Sequence, residues 1–400
     1  KKIELPSNVS IVGETKGTTI LANSNDFRFI IVGDNVSFDN ITIDGNGDNF
    51  NPNKLIDTDY VNKVKTNNLR ITNCIIKNLK AKWVHAIGLA YTTNAIITNN
   101  IFDGFESIAN GTVGDLDGSA RAINIALENE HFLIANNIFK GMVDEEDSDF
   151  IHVVGTQIVN NNFPYSGLEF SYCSGRIEGN IFYGFMKSAV KVQSKDVVIA
   201  NNTIDFRGTG SKSAYAGIRI QNSENCVVKN NTVIVGAKEK LTVGYTIQRS
   251  YKCTAENNTV TFAGEREITD MENLNTHVIS IYSSTECCVD GVNIIGKNNL
   301  SRLITLNNPG KLTLKNIHYK NEGYSIENVI VFQEKTDKSD VTFENIKVYC
   351  EKCDRAIQSL DNFGGSIRIK NVEIEANDTT TSDMFKLAQI LNYKIYISTV

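Results

Sequence analysis

One short motif recurs down the chain and narrows what it can fold into: apolar, any, apolar, any, Asn, any, any, apolar. Residues 226–234, Cys-Val-Val-Lys-Asn-Asn-Thr-Val-Ile, show it in full. It is anchored at Asn40, Asn73, Asn99, Asn136, Asn160, Gly179, Asn201, Asn230, Asn257, Gly291, Asn316, Asn345 and Asn371, so 11 of 13 anchors are Asn. Successive anchors lie 19 to 37 residues apart. A fixed motif at a variable period is the signature of a stacked repeat whose loops differ from rung to rung.

The position two before each anchor is apolar at all 13, from Phe38 and Ile71 to Phe343 and Ile369. The position four before is nearly as consistent. Period-two alternation marks a strand with one buried face. A strand that recurs once per turn stacks in parallel on its own copy. The bend after it needs a residue that tolerates unusual φ; Asn and Gly do. Asn stacked on Asn is also expected to form an amide ladder along the axis. These features predict an all-β, single-stranded, right-handed parallel β-helix of about 13 coils.

Residues 3–14, Ile-Glu-Leu-Pro-Ser-Asn-Val-Ser-Ile-Val-Gly-Glu, followed by Gly-Thr-Thr-Ile-Leu at 17–21, resemble the opening coil of pectin-lyase-like β-helix proteins. Phage tailspikes and cell-wall-binding appendages, polysaccharide lyases and polygalacturonase-type hydrolases share that fold. The resemblance covers roughly residues 3–376. It implies an extracellular or virion-surface protein, trimeric as in phage relatives, whose partner is a polysaccharide or wall glycopolymer. The fold alone does not choose between hydrolase, lyase and inert binder. The polygalacturonase series of Asn-Thr-Asp, Asp-Asp, Gly-His-Gly and Arg-Ile-Lys is not present; Arg368-Ile-Lys370 stands alone and reads as structural. The pectate-lyase Trp-x-Asp-His signature is absent, and Trp83-Val-His85 reads as a superficial echo of it. The usual entry segment and capping helix are also missing, and a start at Lys1 reads as a fragment or processed product.

A solenoid adds coils without splitting its core, so residues 1–376 are expected to form one domain, with 377–400 as a C-terminal cap. Within that cap, 384–391 reads as a short helix and 393–398 as a final strand. An apolar content of 41% supports a continuous core, and with four Pro the turns fall to Gly and Asn. A net charge of −6 without a basic stripe excludes broad nucleic-acid binding. No apolar run is long enough to span a bilayer. Of eight Cys, Cys226, Cys253 and Cys287 share one inward column and read as buried small side chains. Cys350 and Cys353 form a lone CxxC, a weak metal signal without partners at zinc spacing. The sequons at Asn201, Asn230 and Asn257 fall on turn residues and are discounted as glycosylation sites. No metal site is expected, apart from a loose Ca²⁺ site at an acidic loop.

Residues 44–60 read as an Asn-, Asp- and Gly-rich insertion. Long loops follow at 103–121, 140–149, 205–216 and 263–277, which makes mid-chain the working surface. The chemistry is expected on a second strand of each coil. Alignment gives one outward column of Asn124, His152, Glu169, Lys191, Arg219, Thr246 and Ser280. A second column reads Ala126, Val154, Ser171, Gln193, Gln221, Gln248 and Tyr282. As catalytic candidates the columns offer Glu169 as base or nucleophile, Asp149 as acid, His152 assisting, and Lys191 and Arg219 as cationic clamp or base. Asn124, Asp117, Gln193, Gln221, Gln248 and Tyr282 would bind sugar, through amides that donate and accept and a ring that stacks. The bland alternative is a solvated sheet face whose charges offset one another. The expected function is recognition of a bacterial surface or acidic polysaccharide, with cleavage by glycoside hydrolysis or β-elimination. The alternative is a non-catalytic, receptor-binding appendage or adhesin.

Overall fold

The protein is described by a computed structural model. It describes residues 1–15, 17–109, 112–113, 119–143, 149–151, 153–164, 167–184, 188–207, 213–236, 240–263, 277–297, 299–333, 336–360, 363–378, 385–387 and 393–398. Two compact units divide the chain, Lys1–Val190 and Lys191–Val400. Each is built from short strands that pair in parallel with the strand one turn later, which is a parallel β-helix. Among the described residues there is no helix.

In the first unit the motif strands form one ladder: Ser10–Val12, Ser37–Asp39, Arg70–Thr72, Ile96–Thr98, Leu133–Ala135, Thr156–Val159 and Gly175–Glu178. A second ladder carries the strand after each anchor. A third runs Lys2–Leu5, Arg28–Ile31, Lys54–Thr58, Trp83–Leu89, Ser119–Ile125, Asp149–Ile151 and Leu168–Ser171. In the second unit the motif ladder runs from Val197–Ala200 through Val227–Lys229 and Thr254–Glu256 to Tyr393–Ser398. Another ladder there joins Ser213–Gln221, Lys240–Gln248, His277–Tyr282 and Leu300–Asn307, then the second halves of Lys311–Phe332 and Thr336–Ser359.

The residue two before each anchor is buried throughout, from Phe38 and Ile71 (0% exposed each) to Phe343 (0%) and Ile369 (8%). After the anchor, Phe102, Phe139, Phe163 and Phe182 stack face to face, with centroids 4.8, 4.7 and 4.6 Å apart. That spacing is the strand separation itself, so the backbone ladder brings the rings into offset contact. Every anchor sits at positive φ, between 51° at Asn257 and 72° at Gly291, the left-handed region that Asn and Gly tolerate.

The expected amide ladder of anchors forms at Asn316, Asn345 and Asn371, linked Nδ2 to Oδ1 at 3.1 Å, but in the earlier coils a buried ladder lies one residue after the anchor. Asn230 is exposed, whereas Asn231 beside it is 1% exposed. Asn231 Nδ2 donates to Ile199 O (3.0 Å) and to Asn258 Oδ1 (3.1 Å), and its Oδ1 accepts from Asn202 Nδ2 (2.9 Å). The first unit repeats this with Asn100, Asn137, Asn161 and Asn180, linked Nδ2 to Oδ1 at 3.0 Å. A left-handed residue turns its side chain outward, and the next residue turns inward at the bend. There it satisfies backbone groups that burial would otherwise orphan.

Cys226, Cys253 and Cys287 are buried free thiols, as expected. Cys350 and Cys353 are buried and free too, and no cluster of three or more His, Cys, Asp or Glu among the described residues could hold a metal. The helix expected at 384–391 is corrected at its described residues: Phe385–Leu387 is a strand in register with Ile357, Gln358 and Ser359. The final strand, Tyr393–Ser398, pairs with residues 365–370.

Candidate functional site

The outward positions of the third ladder in the first unit fall into two lines. One reads Lys54, His85 and Arg121. The other, three residues further along each strand, reads Asp57, Gly88, Asn124, Asp149 and Glu169. Two consecutive inward residues separate the lines, Leu55-Ile56, Ala86-Ile87 and Ala122-Ile123, all buried. At the usual strand spacing the second line is about 19 Å long.

At one end of these lines lies a cleft of about 460 Å³, walled by Lys54, Asp57, His85 and Asn124, with Trp83 and Tyr60 at its rim. Trp83 is 50% exposed and Tyr60 48%, so each offers an aromatic face to solvent. Asp57 is 4% exposed. Lys54 Nζ lies 3.0 Å from its Oδ1 and Arg28 Nη1 3.2 Å from its Oδ2. Burial raises the Asp57 carboxyl above its ordinary pKa, and the Lys54 and Arg28 charges oppose the rise. Lys54 Nζ also stands 5.0 Å above the Tyr60 ring, a cation–π contact that fixes the ring at the rim.

Gly88 lies in register between Asp57 and Asn124, and a Cβ there would stand 3.0 Å from Asp57 Oδ1 and 3.2 Å from Lys54 Nζ. Its missing side chain leaves the cleft floor open. The Asn124 amide nitrogen lies 3.2 Å from His85 Nδ1. With Asn124 donating, the ring carries its proton on Nε2, and that atom is buried with no hydrogen-bond partner. Burial, with Arg121 and Lys54 nearby, pushes the His85 pKa down to about 3. The ring is therefore neutral near pH 7 and too weakly basic to act as a general base there. The cleft thus offers acceptors on Asp57, donors on Lys54 and Asn124, and apolar faces on Trp83 and Tyr60. That is a small set of fixed polar groups in a concave, partly aromatic site.

The candidates read from the sequence are distributed differently. Asn124 is part of the cleft. Glu169 is half-buried at the far end of the same line and accepts a hydrogen bond from Ser171 Oγ at 3.3 Å. Between Asn124 and Glu169 the register position belongs to Asp149, not His152: Phe150 aligns with the buried Ile125 and Phe170, which shifts the expected strand by three residues. Asp149 is placed here by its backbone. Asp117 and His152 lie outside the described residues, as do residues 114–118 and 144–148 of the acidic loops proposed for Ca²⁺.

In the second unit the expected columns do align: Arg219 with Thr246 and Ser280, and Gln221 with Gln248 and Tyr282. Arg219 is engaged by its neighbours. Its guanidinium carbon stands 4.8 Å over the Tyr215 ring, and Nη2 donates to Gln248 Oε1 at 3.4 Å. Gln248 Nε2 in turn donates to Tyr215 Oη at 2.7 Å. Thr246 is 0% exposed, so this column is not an open track at that point. Lys191 and Gln193 lie half-buried on Ser188–Gln193.

Asp57 and His85 escaped the sequence reading. Lys54–Thr58 does not alternate, because Leu55 and Ile56 are both buried, and it sits in the segment read as an insertion. His85 was visible only as part of Trp83-Val-His85. The usable signal was the three-residue spacing of polar residues, Lys54 to Asp57 and Arg121 to Asn124, around an apolar pair.

Residues 142–269 match the family model of the right handed β-helix region, which agrees with the hand expected from the sequence. A search of the curated proteins finds no match. Among solved structures, a periplasmic alginate epimerase, AlgG, is similar over 99% of this chain and 85% of its own, at 11% identity and a TM-score of 0.43. The tailspike of E. coli bacteriophage HK620, solved with a pentasaccharide, covers 99% and 74% at 11% identity and 0.42. An alginate lyase of family PL6, AlyGC, covers 98% and 88% at 10% identity and 0.31.

Proposed function

We propose that this chain is a polysaccharide-recognising β-helix protein that seats a glycan on the outer face of its first unit. The observation that carries this reading is the cleft in which Lys54, Asp57, His85 and Asn124 converge under the aromatic rim of Trp83 and Tyr60. Pyranose rings present an apolar face and a rim of hydroxyls, which suits aromatic platforms beside fixed donors and acceptors. The cleft volume is that of a small-ligand site, and the line from Asp57 to Glu169 leads away from it along the axis. The reading brings with it an extracellular or virion-surface setting and a homotrimer; sedimentation of the intact chain tests the assembly.

Binding is favoured over catalysis in the cleft itself. His85 is too weak a base, and the Asp57 oxygens are already held by two cations. A second reading, cleavage, draws on Asp149 and Glu169, which occupy adjacent register positions. Adjacent register sets their backbones about 4.8 Å apart, and retaining glycosidases work through a closely spaced pair of carboxyl groups. Lys191 and Arg219, the clamp expected for an eliminative route, belong to the second unit, where Arg219 is already held by Tyr215 and Gln248.

Two variants separate these readings. Trp83→Ala should weaken binding to a glycan found by array screening by about tenfold or more. Unchanged affinity would remove the cleft from the account. If the chain cleaves, Glu169→Gln should lose about 10³-fold or more in reducing-end release while still binding. No release by the unmodified chain would leave binding as the whole function; equal release by the variant would move the cleavage away from Glu169.

A further inference from the structure

The second unit carries a polar row on coils that read as plain in the sequence. His277, Arg302, Asn328 and Arg355 fall on one line of register, each about 4.8 Å from the next. Three residues along the same strands, Thr305 follows Arg302. This repeats the first unit, where His85 and Arg121 stand in one line and Asn124 three residues on.

The chemistry of the row is incomplete. Arg302 is partly buried, and the loss of water pulls its guanidinium below the ordinary range; the charge of Glu327 only partly offsets this. Among the described residues no carboxylate lies within ion-pair distance of Arg302, and its Nη1 is buried with no hydrogen-bond partner. Asn328, next in line, is 2% exposed, and its Oδ1 also lacks a partner. On the other side His277 is 8% exposed, with its Nδ1 2.5 Å from Thr305 Oγ1. Burial and Arg302 together push the His277 pKa to about 4, so the ring adds no charge near pH 7. A desolvated cation without a counter-ion is costly, and so is a buried amide oxygen without a donor. A ligand that brings an oxyanion and a hydroxyl together relieves both.

We propose that the row His277, Arg302, Asn328 and Arg355 is a second glycan site, which takes the oxyanion of an acidic sugar unit on Arg302 and a neighbouring hydroxyl on Asn328. That the unit is a sugar rests on the reading of the first cleft; that it is anionic rests on Arg302 alone. Carboxylate and phosphate share the chemistry the guanidinium fork recognises.

The test uses the full chain and two separate reporters. Trp83, the single Trp, reads the first cleft by fluorescence; the His277 imidazole, one of five His, reads the second site by ¹⁵N NMR. Galacturonate, galactose 6-phosphate, galactose and acetate are titrated in turn. The expected result is a saturable His277 shift with at least one acidic sugar, about tenfold weaker or absent with galactose and acetate. Arg302→Gln should abolish the shift while Trp83 responds as before. Should that variant not fold, Arg355→Gln is expected to weaken the same shift several-fold. A His277 signal unmoved by both acidic sugars overturns the proposal, and so does a shift that survives Arg302→Gln. A response to acetate equal to that of the acidic sugars overturns the glycan assignment. If Trp83 responds and His277 does not, only this second site fails. If Trp83 is also silent to every sugar, the reading of the first cleft fails with it.

Discussion

Gly88→Ala is the sharpest perturbation of the first-unit cleft, because it adds one carbon at its floor and disturbs little else. Gly88 is not among the glycines at positive φ, so Ala adopts its backbone without strain. Removing a glycine also stiffens the unfolded chain, which stabilises by about 0.4–1 kcal/mol. Against this, the new Cβ stands 3.0 Å from Asp57 Oδ1 and 3.2 Å from Lys54 Nζ. Both are ends of side chains, which can shift by a few tenths of an ångström, so the overpacking penalty sits near the low end of the range, about 1 kcal/mol. The net change in stability should fall within about 1 kcal/mol. Binding has no such compensation. The methyl occupies the floor between Asp57 and Asn124 and turns the Asp57 oxygen away from the cleft, so affinity should fall by about tenfold or more, equivalent to 1.4 kcal/mol. Trp83 fluorescence reads binding without a label, and denaturant melts read stability in the same samples. A variant that melts like the parent and binds glycan equally well would refute the placement of the site.

Three further outcomes follow from the same geometry. Asp57→Ala strands two partly buried cations, Lys54 and Arg28, and should cost about 2–4 kcal/mol in denaturant melts; a loss under about 0.5 kcal/mol would show the ion pairs to be idle. Asn231→Ala orphans Ile199 O and the Asn202 amide and should cost about 1–3 kcal/mol, whereas Asn230→Gly, at an exposed left-handed turn, should cost only a few tenths; equal losses would contradict the buried ladder. His85 and His277 have pKa values depressed to about 3 and about 4, so their contribution to stability is complete above pH 6.5 and declines as pH falls toward those values, because only the unfolded chain takes up the protons. Melts from pH 7 to 4 should lose about 2–3 kcal/mol per histidine, and a paired His85→Gln, His277→Gln variant should show a flatter profile; an unchanged profile would mean that neither ring is held neutral.

Much of the fold was legible because burial imposes a repeating pattern. An inward apolar residue two before each anchor and a left-handed Asn or Gly at the anchor are both one-dimensional signals. The buried amide ladder was legible too, in the Asn-Asn pairs at 99–100, 136–137, 160–161, 201–202, 230–231 and 257–258. Where the pairs occur, the second Asn and not the anchor carries the buried ladder, whereas the anchors Asn316, Asn345 and Asn371 form the expected ladder at the surface. The site was harder, because the strands that carry it break period two. Leu55-Ile56 and Ala86-Ile87 put two inward residues together, so Asp57 and His85 looked out of phase. Matching apolar residues at its flanks puts His152 in the column, whereas the ladder places Asp149 there. Which outward groups are spoken for, such as Arg219 between Tyr215 and Gln248, depends on neighbours one coil away, some 30 residues distant in sequence.

The most direct measurement is a crystal structure of the chain with a glycan identified by array screening. The expected complex has a pyranose ring stacked on Trp83, with hydroxyl oxygens within hydrogen-bond distance of Asp57 and Asn124 and the glycan continuing along the line toward Glu169. A glycan bound on another face of the first unit, with the cleft still filled by solvent, would contradict it.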